Sequence, residues 1–238
     1  MKKEPELVDA LGDMQVASKL ISSSIPKDAN GNLVNPLDAH FRSLELATTE
    51  PIAHEIKEFG ALQGYAGDTR VLQAFRVERE AAEGDRLLLW HGARTTRFAG
   101  ILKQGLRIAP AEAPVTGYMF GKGVYFADML SKSENYCHAN RSDNTGLLLL
   151  CEVLVKPFYE QYQTNYNADH DCKKAGKKST KGLGCTQPAE WQDCGDALER
   201  PDLRGCHMPN LDLGVGPAVQ RVLLTVIRMR YLLMVKMQ

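Results

Sequence analysis

The pattern of hydrophobic and polar positions predicts a helical start followed mostly by strands. Apolar residues recur at helical spacing across Glu4–Ser22, which indicates an amphipathic helix. Segment 25–35 is rich in Pro, Gly, Asn and Asp and is interpreted as a linker. Two continuous apolar runs, Leu87–Trp90 and Leu147–Val155, are typical of buried strands. We therefore expect residues 1–24 to form a separate helix and residues 36–238 to form one domain.

Between the linker and the first buried strand, the pattern predicts one short strand and one helix. Phe41–Leu46 is apolar enough for a strand. Thr49 and Pro51 supply the capping hydroxyl and the early proline of a helix start. The expected buried face of this helix and the glycines expected to break it are Ile52, Ile56, Phe59, Gly60, Gly64 and Gly67.

From residue 71 onward, strand patterns dominate, with short helices between them. Phe98–Gln104 is predicted to be a helix closed by Gly105, and segment 131–138 is also compatible with a helix. Segment 219–237 is apolar and β-branched enough for one or two closing strands, whereas 165–209 has no clear periodicity. The strands do not alternate regularly with helices, so the order predicts an α+β fold.

Composition narrows the class of protein without identifying it. The 238 residues are 44% hydrophobic and 24% charged, as in ordinary globular chains. Lys plus Arg and Asp plus Glu both number 29, so no overall field draws the chain to DNA or to anionic membranes. No apolar run is long enough for a bilayer. The six cysteines occur without a secretory signal and are expected to be reduced thiols.

Three familiar motifs occur in the sequence in incomplete form. Gly176–Thr180 resembles a phosphate loop, but Asp171 stands where its first glycine is required. Gly214–Gly216 lacks the third glycine of a dinucleotide fingerprint. A group of loop residues invites a zinc interpretation but lacks a Cys-x-x-Cys pair, so scattered thiols are favoured over metal. These residues are His170, Cys172, Cys185, Cys194, Cys206 and His207.

The residues with the strongest chemical signal lie between 89 and 136. His91 leaves a buried strand beside Gly92, so an imidazole and an accessible backbone occur together. Three tyrosines lie near several glycines and have the aromatic faces needed to sandwich a flat ring. The ammonium of Lys132 and the hydroxyl of Ser133 follow nearby in the sequence. For any one tyrosine alone core packing is the preferred explanation, and for His91 alone a hydrogen-bonded structural histidine is equally plausible. The density of glycines nevertheless favours close approach to a ligand. The members are Tyr118, Tyr125, Lys132, Ser133 and Tyr136.

At these residues the sequence closely resembles the catalytic domain of the poly(ADP-ribose) polymerase family. The resemblance extends from Pro36 to Lys236 and is densest between Leu87 and Val155, with Gly105–Asp128 the most specific run. It implies a mainly antiparallel two-sheet ADP-ribosyltransferase fold, with the donor cleft between the sheets. Glu4–Ser22 resembles the last helix of the family's regulatory helical subdomain. Gating by that subdomain, and a response to DNA breaks, are therefore not expected from this chain alone.

The resemblance also implies roles for individual residues toward NAD. His91 would bond the nicotinamide ribose, and Gly92 and Ser133 would hold the carboxamide. Tyr125 and Tyr136 would pack on opposite faces of the ring. The remaining residues with implied roles are Arg107 at the adenosine half, Tyr118 in a loop over the donor, and Lys132 as support for the active site. The implied catalytic set is His91, Tyr125 and Lys132.

The sequence departs from the family at its third catalytic element, a glutamate in a strand near the C-terminus. No Asp or Glu occurs after Asp212. Either this chain is a true variant, or a segment has been lost, for example through a wrongly joined exon. Gln220 and Arg221 are candidates for the vacated position, and Glu190 and Glu199 are more remote carboxylates. A smaller change is Ala93, where the family often has serine.

The leading interpretation is an NAD-dependent ADP-ribosyltransferase that modifies protein acceptors and elongates polymer poorly. The alternative is a catalytically impaired module that binds NAD or ADP-ribose. A third interpretation is a structural partner whose segment 165–207 binds zinc or protein. The family resemblance implies a nuclear location, with the cytoplasm as the alternative, and no membrane association.

Overall fold

The computed structural model describes most of the chain from Asn35 onward. The described residues are 35–44, 46, 48–78, 85–108, 118–183, 187–216, 219–223 and 227–237, together with Gln15, Ser18, Lys27, Asn30 and Gly31. The predicted N-terminal helix and the linker lie almost wholly outside the described residues. Gln15 and Ser18, which are described, are helical.

From Asn35 onward, the described residues form eleven strands of four to eleven residues and six α-helices of four to ten residues. The strands are β1 (Thr48–Ile52), β2 (Arg70–Glu78), β3 (Arg86–Gly92), β4 (Val124–Ala127), β5 (Thr145–Leu154), β6 (Phe158–Gln161), β7 (Ser179–Leu183), β8 (Gln187–Asp193), β9 (Cys206–Gly216), β10 (Val219–Leu223) and β11 (Ile227–Lys236). The helices are α1 (Pro36–Ser43), α2 (Lys57–Ala66), α3 (Phe98–Gln104), α4 (Leu130–Glu134), α5 (Ala168–Lys174) and α6 (Cys194–Ala197). Single turns of 3₁₀-helix occur at Thr95–Arg97, Ala139–Arg141 and Pro201–Leu203.

Hydrogen bonds connect the strands in the order β1-β2-β11-β5-β3-β4-β10-β7-β6, and the β8–β9 hairpin joins β3. Among the described pairs, only β3–β9 and β6–β7 are parallel. A single residue pair, Trp90 with Ala127, links β3 to β4. The two sheets predicted from the sequence are therefore two halves of one hydrogen-bonded network, and the predicted α+β class with mainly antiparallel strands is confirmed.

The central strand β3 is buried on both faces, as its continuous apolar run predicts. Leu88 and Trp90 pack in the cluster that contains α2 and β11. Leu87 and Leu89 pack in a second cluster with Phe98 of α3. Alternate side chains of a strand point to opposite faces, so one strand contributes to both clusters. β3 is therefore a rigid base for the residues that follow Trp90.

The structure corrects the predictions for residues 36–67. Phe41 lies in helix α1, because Pro36 occupies the first helical position and Ala39 N donates to Asn35 O. Residues 49–52 form β1 instead of a helix, and their register with β2 decides the conformation. The helix begins at Lys57, passes through two of the three glycines expected to break it, and ends at Ala66, where it is capped by Gly67, whose φ is +62°.

Residues 165–209 are also more regular than their sequence predicts, since they contain α5, β7, β8, α6 and the start of β9. Lys, Gly and Asp are poor strand formers, so local propensity gives little signal there. By contrast, α3 matches Phe98–Gln104 and is closed by Gly105, as predicted. The closing strands β10 and β11 also match the prediction.

Candidate active site

His91 lies near the end of β3, where the strand meets β4. Its Nδ1 is 3.0 Å from the carbonyl oxygen of Tyr125 and therefore donates to it. The imidazole also contacts Phe126, with ring centres 5.5 Å apart. Burial lowers the pKa of His91 below its usual value, and the nearby positive charge of Arg97 adds to this effect. A neutral imidazole with its proton on Nδ1 leaves Nε2 as a hydrogen-bond acceptor.

Gly92 is packed so closely against helix α4 that no side chain fits there. A Cβ atom at this position would lie 1.9 Å from the carbonyl oxygen of Ser133 and 3.3 Å from Cys137 Sγ. The Ser133 side chain is 3% exposed, and its hydroxyl donates to Trp90 O over 3.0 Å. Gly92 and Ser133 are therefore neighbours, and the carboxamide-binding role that the family resemblance implies for them stays a prediction.

Tyr125 is held by its hydroxyl as well as by its strand. The hydroxyl donates to Gly121 O at 2.7 Å and accepts from Phe120 N at 3.3 Å. Burial raises the pKa of Tyr125, and the nearby Tyr136, Tyr118 and Asp169 side chains raise it further. Tyr118 and Tyr136 are therefore close enough to Tyr125 to affect its pKa, and Tyr136 is nearly half exposed at 47%.

The structure connects His91, Gly92, Ser133 and the three tyrosines into one continuous set of contacts. Arg107 and Lys132, in contrast, are exposed. Arg107 follows α3 directly before segment 109–117, which lies outside the described residues. Lys132 lies on α4 beside the buried Ser133. The roles of Arg107 and Lys132 therefore rest on the family resemblance.

Gln220 and Arg221, the two sequence candidates for the position of the family glutamate, both lie in β10. Gln220 pairs with Ala127, and Val222 pairs with Tyr125. Cross-strand partners share one face of a sheet, so positions 220 and 222 are on the same face as Tyr125. Arg221 pairs with Phe126, whose side chain belongs to the buried core. The register thus puts position 220 on the Tyr125 face of the sheet and position 221 on the Phe126 face.

The two remote glutamates are placed on exposed parts of other elements. Glu199 Oε1 forms a 2.7 Å ion pair with the ammonium of Lys57 at the start of α2. Glu190 is exposed on β8, opposite Asn210 of β9. Neither contact involves the tyrosines or His91.

Two charged residues near the site were missed in reasoning from the sequence. Arg97 is close enough to affect the protonation of His91, and Asp169 lies against Gly121. Both occur in short stretches without periodicity, so only proximity in the fold reveals them. Among the described residues, no group of three or more His, Cys, Asp and Glu side chains is arranged to hold a metal ion. Within the same residues, no helix has the length and apolarity needed to cross a membrane.

An amide can approach the Gly92 backbone, and His91 Nε2 can accept a hydrogen bond. Comparison with known proteins identifies the family to which the chain is similar. Residues 63–215 match the family model of the poly(ADP-ribose) polymerase catalytic domain. The chain is 42% identical over 231 residues to "Poly [ADP-ribose] polymerase 2" of Arabidopsis thaliana, covering 87% of this chain and 35% of that protein.

Two further relatives have similar identities. "Poly [ADP-ribose] polymerase 2" of Homo sapiens is 42% identical over 206 residues, covering 79% of this chain and 34% of that protein. "Poly [ADP-ribose] polymerase 1" of Gallus gallus is 44% identical over 202 residues, covering 77% of this chain and 19% of that protein. The chain thus spans about a third or less of the length of these curated relatives.

Proposed function

Since the chain belongs to the poly(ADP-ribose) polymerase catalytic-domain family, we propose that it is an NAD-dependent ADP-ribosyltransferase. It transfers ADP-ribose from NAD to protein acceptors and releases nicotinamide, which is transfer of a pentosyl group. The observation that carries this proposal is the cluster of His91, Gly92, Ser133 and Tyr125 at the junction of β3 and β4. We place its activity in the nucleus, in line with the family resemblance.

The donor is bound by groups that the fold has already oriented. The Gly92 backbone and the Ser133 hydroxyl hold the carboxamide, so the nicotinamide ring has one fixed orientation. Tyr125 and Tyr136 cover the two faces of the ring, and Tyr118 lies next to them. His91 Nε2 accepts a hydrogen bond from a hydroxyl of the adjacent ribose. Fixing both the ring and the ribose defines the bond that breaks.

The reaction breaks the N-glycosidic bond between the ribose and nicotinamide. The bonding electron pair leaves with nicotinamide, and the ribose carbon acquires oxocarbenium character, as in glycoside cleavage. A carboxylate of the acceptor then attacks this carbon, or a hydroxyl attacks it and loses its proton to solvent. His91 is neutral because its pKa is lowered, so it adds no positive charge beside the oxocarbenium ion.

Polymer elongation is proposed to be weak, because residues 213–238 contain no carboxylate. Elongation requires an ADP-ribose hydroxyl as nucleophile, and a positioned general base typically contributes about 10²–10⁴-fold in rate. An acceptor carboxylate needs no deprotonation at neutral pH, so the first transfer is less affected. The same absence favours the second candidate function, a catalytically impaired module that binds NAD or ADP-ribose.

The test is to incubate the 238-residue chain with NAD labelled separately in nicotinamide and in ADP-ribose. Released nicotinamide with short protein-bound products is expected. Release of no nicotinamide, with NAD still bound, would favour the binding module, and long polymers would contradict the proposed loss of elongation. His91→Ala should weaken NAD binding by about 1–3 kcal/mol. His207→Ala is the control, because His207 is exposed on β9 at the far end of β3.

A gain-of-function variant tests the assignment of the vacated position. Gln220→Glu changes an amide to a carboxylate without changing the shape of the side chain, at the register partner of Ala127. We expect longer ADP-ribose chains from this variant on a denaturing gel. Arg221→Glu introduces a carboxylate one position away, opposite Phe126, and should not lengthen the product. Equal product lengths from Gln220→Glu and from the unmodified chain would contradict the assignment.

A further inference from the structure

Cys194 and Cys206 lie at the two ends of the connection between strands β8 and β9. Strand β8 ends at Asp193 and β9 begins at Cys206, so the connection consists of residues 194–205. Asp193 pairs with His207 in the antiparallel ladder. Positions 194 and 206 are the next pair beyond it, and they therefore lie opposite each other where the connection begins. The fold thus brings together two of the six residues for which the sequence left zinc and scattered thiols as alternatives.

A single carboxylate holds the two ends of this connection together. Asp193 Oδ1 accepts a hydrogen bond from Gly195 N at 2.7 Å, and Asp193 Oδ2 accepts one from Gly205 N at 2.7 Å. The ends are also packed against each other, since a Cβ atom on Gly195 would lie 2.4 Å from Arg204 Cγ and 3.1 Å from Arg204 Cα. The backbone beside each cysteine is therefore fixed, and the two cysteines cannot separate unless these contacts break.

The two thiols are buried in the core and contact each other. Both cysteines are 0% exposed and lie in one core cluster with Leu198 and Leu203 of the connection. The thiol of Cys194 forms a hydrogen bond with Cys206, and this contact and burial both raise the pKa of Cys194. Residues opposite each other in antiparallel strands have Cβ atoms about 4.5–5.5 Å apart, and a disulfide requires about 3.5–4.5 Å. A shift of roughly 1 Å therefore suffices to bond the two sulfur atoms.

The middle of the connection is attached to the core by ion pairs. Arg200 Nη1 donates to Glu58 Oε1 of α2 at 3.2 Å. Asp202 Oδ2 accepts from Arg230 Nη2 of β11 at 2.7 Å. The connection therefore has its folded shape while both thiols are free. A covalent bond between its ends would change the folded chain little and would act mainly by restricting the unfolded chain.

We propose that Cys194 and Cys206 are a modification site, at which a peroxide converts the two thiols into an intramolecular disulfide. The sulfur of one thiol attacks a peroxide oxygen, which gives a sulfenic acid and one water. The second thiol then displaces water from the sulfenic acid, and the S–S bond forms. Two thiols are oxidised, hydrogen peroxide is reduced to two waters, and the two thiol protons leave in these waters. Neither cysteine is among the residues assigned to NAD, so the cross-link is independent of the proposed function.

The test maps the cysteines of the full chain after incubation with hydrogen peroxide. Thiols that remain are alkylated in denaturant, and the peptides are identified by mass spectrometry without reduction. We expect one cross-linked pair of peptides that contains Cys194 and Cys206 and is two hydrogens lighter than the free peptides together. Cys151, which is equally buried but lies in the other core cluster, should be recovered alkylated. Recovery of Cys194 and Cys206 as alkylated thiols, as sulfinic acids, or joined to other cysteines would overturn the inference.

A second measurement compares the melting temperatures of the oxidised and the reduced chain. The oxidised chain should melt about 6–12 °C higher, as for a disulfide that closes a loop of this length in a chain of this size. Dithiothreitol should reverse the rise. Cys206→Ala should abolish both the cross-linked peptides and the rise, whereas the matched control Cys151→Ala should retain both. An equal rise in Cys206→Ala would overturn the inference. If Cys206→Ala does not fold, the peptide map of the unmodified chain decides alone.

Discussion

Gly92→Ala is the substitution for which the structure predicts the largest local effect. The new methyl group would lie 1.9 Å from Ser133 O and 2.8 Å from the carbonyl carbon of the same residue. Both are backbone atoms of helix α4, so the collision cannot be relieved by rotation of a side chain. Either β3 or α4 must move, and Ser133 moves with the helix. Overpacking of this kind costs about 1–3 kcal/mol.

For a chain of this size, each kcal/mol lowers the melting temperature by about 2–4 °C. Gly92→Ala should therefore melt roughly 2–12 °C below the unmodified chain in a calorimetric scan. Binding of benzamide, a neutral isostere of nicotinamide, should be lost at 20 °C, where the variant is still folded.

Gly60→Ala provides the matched control, since a Cβ atom there meets nothing within 4 Å. Gly60 lies inside helix α2, so alanine should stabilise the chain by about 0.5–1 kcal/mol. If Gly92→Ala melted at the unmodified temperature and bound benzamide normally, the assignment of Gly92 to the carboxamide site would be refuted.

Three further predictions follow from contacts around the site and in the core. Tyr125→Phe removes the hydroxyl that bonds Gly121 O at 2.7 Å and should cost about 1 kcal/mol in urea unfolding; an unchanged midpoint would contradict it. Because partial burial lowers the pKa of His91, the unfolded chain takes up a proton first as the pH falls, so stability falls as pH drops below about 6.5. His91→Gln should flatten this part of the pH profile of the melting temperature, and an identical profile would refute the neutral, partly buried imidazole. Arg230→Met removes a cation 3.0 Å from the buried Glu152, while Arg86 remains paired with it, and should destabilise the chain by roughly 1–3 kcal/mol. Lys57→Met, at an ion pair whose lysine is 82% exposed, should leave the unfolding midpoint nearly unchanged in the same assay.

Strands that are buried on both faces could be predicted from the sequence alone. Leu87–Trp90 and Leu147–Val155 are continuous apolar runs, and runs of this kind are typical of strands whose two faces are both buried. Helix α3 was also predictable, because Gly105 stops it by a local conformational preference with φ at +78°.

Elements with weaker local signals were settled by their partners. Thr49 and Pro51 look like a helix start, yet the register with β2 makes them part of β1. Phe41 looks like a strand residue but lies in α1. In both cases the intrinsic conformational preferences amount to a few tenths of a kcal/mol per residue. Hydrogen bonding to a neighbouring strand, or a local cap, contributes more than this.

The sequence by itself determined which residue types are present near the cleft, because histidine, glycines and tyrosines occur close together between positions 91 and 136. Only the tertiary structure decided that the backbone of Ser133 packs against Gly92, that position 220 pairs with Ala127, and that Asp169 contacts Gly121. These contacts join segments up to about a hundred residues apart. Local spacing in the sequence does not predict these long-range contacts, because they depend on how strands and helices pack once the core has formed.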